Sequence, residues 1–231
     1  MSCASNLTSK QAGVAATAGH LLVVPLGSTE QHGPHLPLTT DADIATALVQ
    51  GLSRARDDVV AVSVLPFGAS GEHAAFAGTL SIGEAALKTL LVELSRSASR
   101  TFGRILFVSA HGGNARAVRQ AIVRLRAEGR NASAWSPNWR GDAHAGRTET
   151  SLMLHLAPER VQLSLAAAGN LTPVAELLPQ MRLGGLAAVS KNGVLGDPAG
   201  ASAGEGATLL AAAIAELSEW VSRWPIMEAT G

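Results

Sequence analysis

Apolar runs closed by turn residues alternate with longer segments of helical period along this 231-residue chain. That alternation predicts βα repeats around a mainly parallel sheet, an α/β fold. The run HLLVVPLG over 20–27 predicts the first strand. DADIATALVQGLSRA over 41–55 predicts a helix, with Ile44, Leu48 and Leu52 four apart on one face behind an acidic first turn. A second strand is expected over 58–68, a helix over 83–103, a buried strand over 104–110, and a helix over 114–129 ended by Gly129, with Asn114 as its N-cap. A weaker strand over 131–137 and a helix over 148–158 follow. Then come a glycine-rich stretch over 183–206, expected to wind around a site, and a closing amphipathic helix over 206–224. Residues 1–19 are small and polar and predict a loose arm; 20–231, with no repeat or linker, predict a single domain.

Apolar residues make up 47% of the chain but aromatics only 3%, so Ala, Val and Leu must fill the core. Eighteen Lys+Arg balance eighteen Asp+Glu, which leaves no broad positive field for a phosphate backbone and argues against a nucleic-acid partner. The single cysteine, Cys3, excludes an internal disulfide framework and a zinc ribbon and fits the reducing cytoplasm, the expected location. The longest apolar stretches, LLVVPLG and LLAAAIAEL, fall short of the ~20 residues a membrane-spanning helix needs, so no membrane partner is expected.

Polar residues gather after the predicted strands, where open parallel sheets bind their ligands: Glu30, His32 and Asp41 after the first, Glu72 and His73 after the second, His111 after the third, and His144 with Glu149 at a later loop-to-helix junction. If STEQH stays extended, Glu30 and His32 project to one side and Gln31 to the other. Gly33, Pro34 and Pro37 then turn the chain so that Asp41 returns to the site, with His35 in a supporting position. Glu30, His32 and Asp41 are therefore candidate metal ligands. Carboxylates and imidazoles without thiolates suit Zn, Mn or Fe(II). Were Asp41 to bridge, two ions ~3.5–4 Å apart could share a hydroxide nucleophile, and His111 and Glu149 are the best-placed further ligands.

The rival reading of HGGN, residues 111–114, is a phosphate-binding turn, but it is neither GxGxxG nor a P-loop. His144 and Glu149 can face one pocket while Thr148 or Thr150 caps or steers, and a histidine there can carry the proton a leaving amine needs. Taken singly each residue could be an ordinary solvated side chain; their convergence at strand ends is what favours chemistry. His20 and His155 read as packing or surface residues, Trp135 and Trp139 as core or subunit anchors, and the arginines of 116–130 as a solvated helix face.

Four motifs in order, PLGSTEQHGPHLPLTTD, GEHAAFAGTLSIG, SAHGGN and HAGRTETSLMLHLAP, resemble the creatininase family of metal-dependent amidohydrolases over most of 20–225. The resemblance implies a three-layer α/β/α fold, two divalent ions per subunit (Zn, Fe(II) or Mn), and assembly into homo-oligomers, often hexamers. It implies Glu30, His32, Asp41 as the bridge, and His111 as ligands, with His144 transferring protons. Creatininase itself carries a glutamate two residues after the histidine of the third motif, where this chain has Gly113; that argues against creatinine as substrate and leaves Glu149 to supply the missing carboxylate. GASGEH, FAGT, HAGRTETS and GVLGDP most resemble a branch that acts on a modified precursor peptide. This implies release of a C-terminal Val-Tyr-derived piece through attack of the bridging hydroxide, with His144 protonating the departing nitrogen. Alternatives are a small-molecule amidohydrolase, acting on a creatinine-like cyclic amide or a formamide, and a non-catalytic metal- or nucleotide-binding module.

Overall fold

The computed structural model describes residues 6–224. Four parallel strands, β1 (Leu21–Leu26), β2 (Val59–Ala61), β3 (Ile105–Ser109) and β4 (Ala132–Trp135), form one sheet in the order β2-β1-β3-β4. Side chains alternate between its faces, so two apolar layers form. Leu21, Val23, Leu106 and Val108 pack beneath α2 (Thr40–Ala55), α5 (Arg147–Leu156) and α7 (Ala203–Arg223). Leu22, Val24, Leu26, Ile105 and Phe107 pack against α3 (Gly83–Ala98) and α4 (Ala115–Ala127). Strands covered on both faces read as unbroken apolar runs, which is why β1 and β3 stand out in the sequence. Ile44, Leu48 and Leu52 are buried as their spacing predicts, each contributing roughly 1.5–3 kcal/mol of burial free energy. The expected three-layer α/β/α architecture is the one observed.

Several boundaries differ from expectation. β2 is only three residues long; beyond it the chain leaves the ladder, and Leu65 returns as an isolated bridge to Leu26. α3 ends at Ala98, short of 103. Residues 9–17 form a helix, α1, where a loose arm was expected: Thr8 and Gln11 close a capping box, and Ala12, Ala15 and Ala16 rest on the α3/α4 side of the core. Residues 1–5 of that arm lie outside the described residues. A further helix, α6 (Val174–Gly184), was not anticipated. The side chain of Asn114 does not cap α4; its amide donates to Gly27 O (3.0 Å) and its Oδ1 accepts from Ala69 N–H (2.9 Å), tying the ends of three strand segments together.

α5 and α7 cross closely at Gly206, where a Cβ would lie 1.9 Å from Ser151 O. Gly206→Ala is therefore expected to destabilise the protein by about 1–3 kcal/mol, the usual cost of overpacking, lowering Tm by several degrees. Thermal denaturation checks this, and an unchanged or higher Tm would show that the helices can part without cost. Among the described residues no helix is long and apolar enough to cross a membrane.

Candidate metal centre

The carboxyl ends of the strands deliver their polar residues to one point. Past β1 the chain is held by Glu30 N–H donating to Leu38 O, and Gly27 lets α2 approach, since a Cβ there would lie 2.4 Å from the Ala42 backbone. Asp41 thus returns in the first turn of α2, anchored by Ser28 Oγ at 2.7 Å. The 3₁₀ turn Gly71–His73 brings His73, the end of β3 brings His111, and the turn before α5 brings His144 and Glu149. Ala145 sits in that turn at φ 52°, a left-handed conformation costing about 1 kcal/mol, and its N–H donates to Glu149 Oε2 at 2.6 Å.

Every sequence-predicted site residue lies in this cluster, among the described residues. Asp41 offers one oxygen to each side: Oδ1 is 3.3 Å from His32 Nε2 and Oδ2 is 3.1 Å from His111 Nδ1. Glu149 Oε2 is 3.9 Å from His32 Nε2 and 4.0 Å from His144 Nδ1. His32 Nδ1–H donates to Glu30 O (3.1 Å), which turns the Nε2 lone pair inward, the orientation a metal-ligating histidine requires.

Three overlapping sets of donors lie close enough for an ion: Glu30, Asp41 and His111; His32, His144 and Glu149; and Glu30, His73 and His144. Glu30 makes the strongest case. It is fully buried, His73 Nε2 and His111 Nε2 stand 3.2 Å from its two oxygens, and yet neither oxygen accepts a hydrogen bond. A buried carboxylate left unpaired is costly. Donors that approach closely without pointing at one another converge on a shared position instead, as ligands around a cation do. The donor set and the orphaned oxygens fit Zn, Mn or Fe(II).

Electrostatics point the same way. Burial pulls the His32 imidazole down, but Asp41, Glu149 and Glu30 outweigh it and raise its pKa to about 10; burial likewise opposes, and Glu30 and Asp41 win, raising His111 to about 9. Burial pushes Glu30 up to about 7 and also raises Glu149. Burial and neighbouring imidazolium charge lower His73 to about 3 and His144 well below its usual range. Without metal, protons on His32 and His111 take the place of cations. Their folded pKa values exceed the unfolded 6.5, so the stability they contribute is full below pH 6.5 and lost as pH rises through about 9–10. Chelated protein is therefore expected to lose Tm between pH 7 and 9. The Tm gain on adding zinc should grow over the same interval, because ligands must shed protons to bind. A chelated Tm that is flat or rises across that range would contradict this charge balance.

Two residues of the site escaped the sequence reading. His73 was placed at a strand end but given no role, and Gln31 was expected to face away. Gln31 is buried, with its amide nitrogen 2.9 Å from His73 Nδ1 and 3.1 Å from His144 Nε2, because the chain turns at Gly33 instead of continuing extended. Gly146, not a threonine, caps α5; Thr150 Oγ1 instead lies 2.9 Å from His35 Nε2, which supports the expected supporting position of His35. Gly113 leaves no room for a side chain, since a Cβ would lie 2.4 Å from His111 Nε2 and 2.6 Å from Glu72 Oε1. The Glu72 carboxylate fills that space, 3.9 Å from His111 Nε2. His155 is exposed, Trp135 is buried in the core, and Trp139 lines a cleft of about 430 Å³ with Asn138 and Val174, opening onto Asp41, His111, His144 and Glu149.

The family model for creatininase, described as creatinine amidohydrolase, matches residues 5–221. A mycofactocin precursor peptide peptidase from Mycolicibacterium smegmatis is 50% identical over 212 residues, covering 88% of this chain and 85% of its own. The crystal structure of a creatinine amidohydrolase superposes with a TM-score of 0.83 at 24% identity, covering 96% of this chain and 98% of the other. A structure titled Creatininase Mn gives 0.84 at 23%, covering 97% and 100%. These structural likenesses speak to the fold, and the sequence matches speak to descent. With a family model spanning nearly its whole length, the chain belongs to the creatininase family, hydrolases of amide bonds.

Proposed function

We propose that this protein is a metal-dependent peptidase that releases the C-terminal Val-Tyr-derived piece of the modified mycofactocin precursor peptide. The observation that carries the metal-dependent part is the fully buried Glu30, whose two oxygens lack partners amid inward-facing imidazoles. The name of the relative at 50% identity supports the substrate. So does the cleft of about 430 Å³, which has room for the end of a peptide and an aromatic wall in Trp139.

Glu30, Asp41 and His111 would hold one ion and His32, Asp41 and Glu149 a second, with Asp41 shared. Such ions polarise an amide carbonyl and lower the pKa of a water to near neutrality. The chain does the rest. The Ser28 hydroxyl and the Ala145 N–H fix the carboxylates of Asp41 and Glu149. Burial of the cluster keeps bulk water from competing, and His144, neutral with Nδ1 facing the carboxylates, would take a proton from the attacking water and return it to the departing nitrogen.

The test uses chelated protein re-supplied with zinc, manganese or iron(II), incubated with the modified precursor, with the unmodified precursor and with creatinine. Cleavage of the modified peptide that requires added metal is the expected result. Turnover of creatinine with the peptide left intact would replace the peptidase reading with that of a small-molecule amidohydrolase.

A further inference from the structure

Of the three donor sets, the one formed by Glu30, His73 and His144 differs in what lies behind it. Gln31 contacts both histidines from outside the centre, and its own orientation is set by backbone groups whose hydrogen-bonding roles are not interchangeable. Gly33 N–H, a donor, lies 2.9 Å from Gln31 Oε1, so that atom must be the amide oxygen. Gly193 O, an acceptor, lies 3.1 Å from Nε2, so that atom must be the amide nitrogen. Gly193 has φ +77°, and a Cβ there would fall 2.0 Å from Gln31 Oε1, so the glycine permits this close passage.

The consequences follow by counting hydrogens. The Gln31 amide nitrogen has two hydrogens and three close neighbours. One hydrogen goes to Gly193 O, and because His144 Nε2, 3.1 Å away, must carry its own proton to satisfy Gln31 O at 2.9 Å, the other goes to His73 Nδ1 at 2.9 Å. His73 Nδ1 is then an acceptor, and the proton of the neutral ring sits on Nε2, which lies 3.2 Å from Glu30 Oε1 without the angle of a hydrogen bond to it. At His144 the arrangement is reversed. Its Nε2 lies 2.9 Å from Gln31 O and donates to it, which leaves the Nδ1 lone pair facing Glu30 and Glu149. One glutamine thus presents an N–H on one imidazole and a lone pair on the next, with ring centroids 4.6 Å apart.

We infer that Gln31 is a positioning residue that locks His73 and His144 in opposite tautomers, so that the space among Glu30 Oε1, His73 Nε2 and His144 Nδ1 takes a hydrogen-bonding group of substrate or water and not a metal ion. His73 is a hydrogen-bond donor, well placed for an oxygen that gains negative charge as an amide carbonyl is attacked, while His144 is the acceptor. That catalytic meaning rests on the amide-hydrolase reading above; the tautomers do not.

The test is nitrogen-15 NMR of histidine-labelled protein, metal-free and then loaded with cadmium-113. The expected result is a proton-bearing Nε2 and proton-free Nδ1 on His73, the reverse on His144, and no cadmium coupling at His73, while His32 and His111 couple. Gln31→Glu keeps the shape but offers His73 Nδ1 an acceptor. It should reverse the His73 tautomer and lower kcat by about 10–100-fold, the usual scale for groups that orient a metal site's residues, with KM little changed. Cadmium coupling at His73 Nε2, or a proton on Nδ1 in the unsubstituted protein, would overturn the inference. Failure to cleave peptide with the predicted nitrogen signature intact would count against the peptidase reading alone.

Discussion

Asp41→Ala is expected to empty the centre of metal and to lower kcat/KM by more than about a thousandfold, roughly 4 kcal/mol of transition-state stabilisation. Asp41 is the one carboxylate with an oxygen toward each half of the cluster, 3.3 Å from His32 and 3.1 Å from His111, and Ser28 holds it there. Among the described residues no other acidic side chain occupies that position between the two imidazoles. Removing it leaves two buried histidines facing each other without their counter-charge, which disfavours a cation and raises the cost of folding. Metal content measured on the purified variant, alongside turnover, checks the prediction. Retention of the same number of ions per chain as the unsubstituted protein would sink the bridging role.

His144→Ala is expected to do something different: keep the ions and lose turnover, with kcat down by about 10²–10⁴-fold, the range for removal of a proton-transfer group, and KM little altered. His144 Nδ1 stands 3.9 Å from Glu30 and 4.0 Å from Glu149, and burial, which lowers its pKa, keeps the ring neutral with the Nδ1 lone pair free. The prediction has a sharp alternative, because His32, His144 and Glu149 also lie close enough to share an ion. Loss of metal on substitution would make His144 a ligand and leave the proton transfer to another group.

Much of this arrangement was legible in the sequence, and the physical reasons are specific. β1 and β3 are buried on both faces, so they read as unbroken apolar runs. α2 announces itself by Ile44, Leu48 and Leu52, and Glu30, His32, Asp41, His111, His144 and Glu149 follow from the rule that parallel sheets gather ligands at strand ends. α1 was hidden because its packing side is only alanine, α6 because Pro173 and Pro179 read as breakers, and the shortness of β2 because its apolar run continues after it has left the ladder. Gln31 was misplaced by an alternation rule that holds only for an extended chain. Its burial depends on the return of Gly193 from a hundred and sixty-two residues away, which no local pattern carries.

The most direct measurement of the central claim is mass spectrometry of the modified precursor peptide after incubation with metal-loaded protein in ¹⁸O-water. Hydrolysis of one amide bond predicts a truncated precursor carrying a single ¹⁸O in its new C-terminal carboxyl group, together with the released C-terminal piece, and neither product from chelated protein. An intact peptide in the presence of protein verified to hold its metals, or cleavage that persists after chelation, would contradict the account.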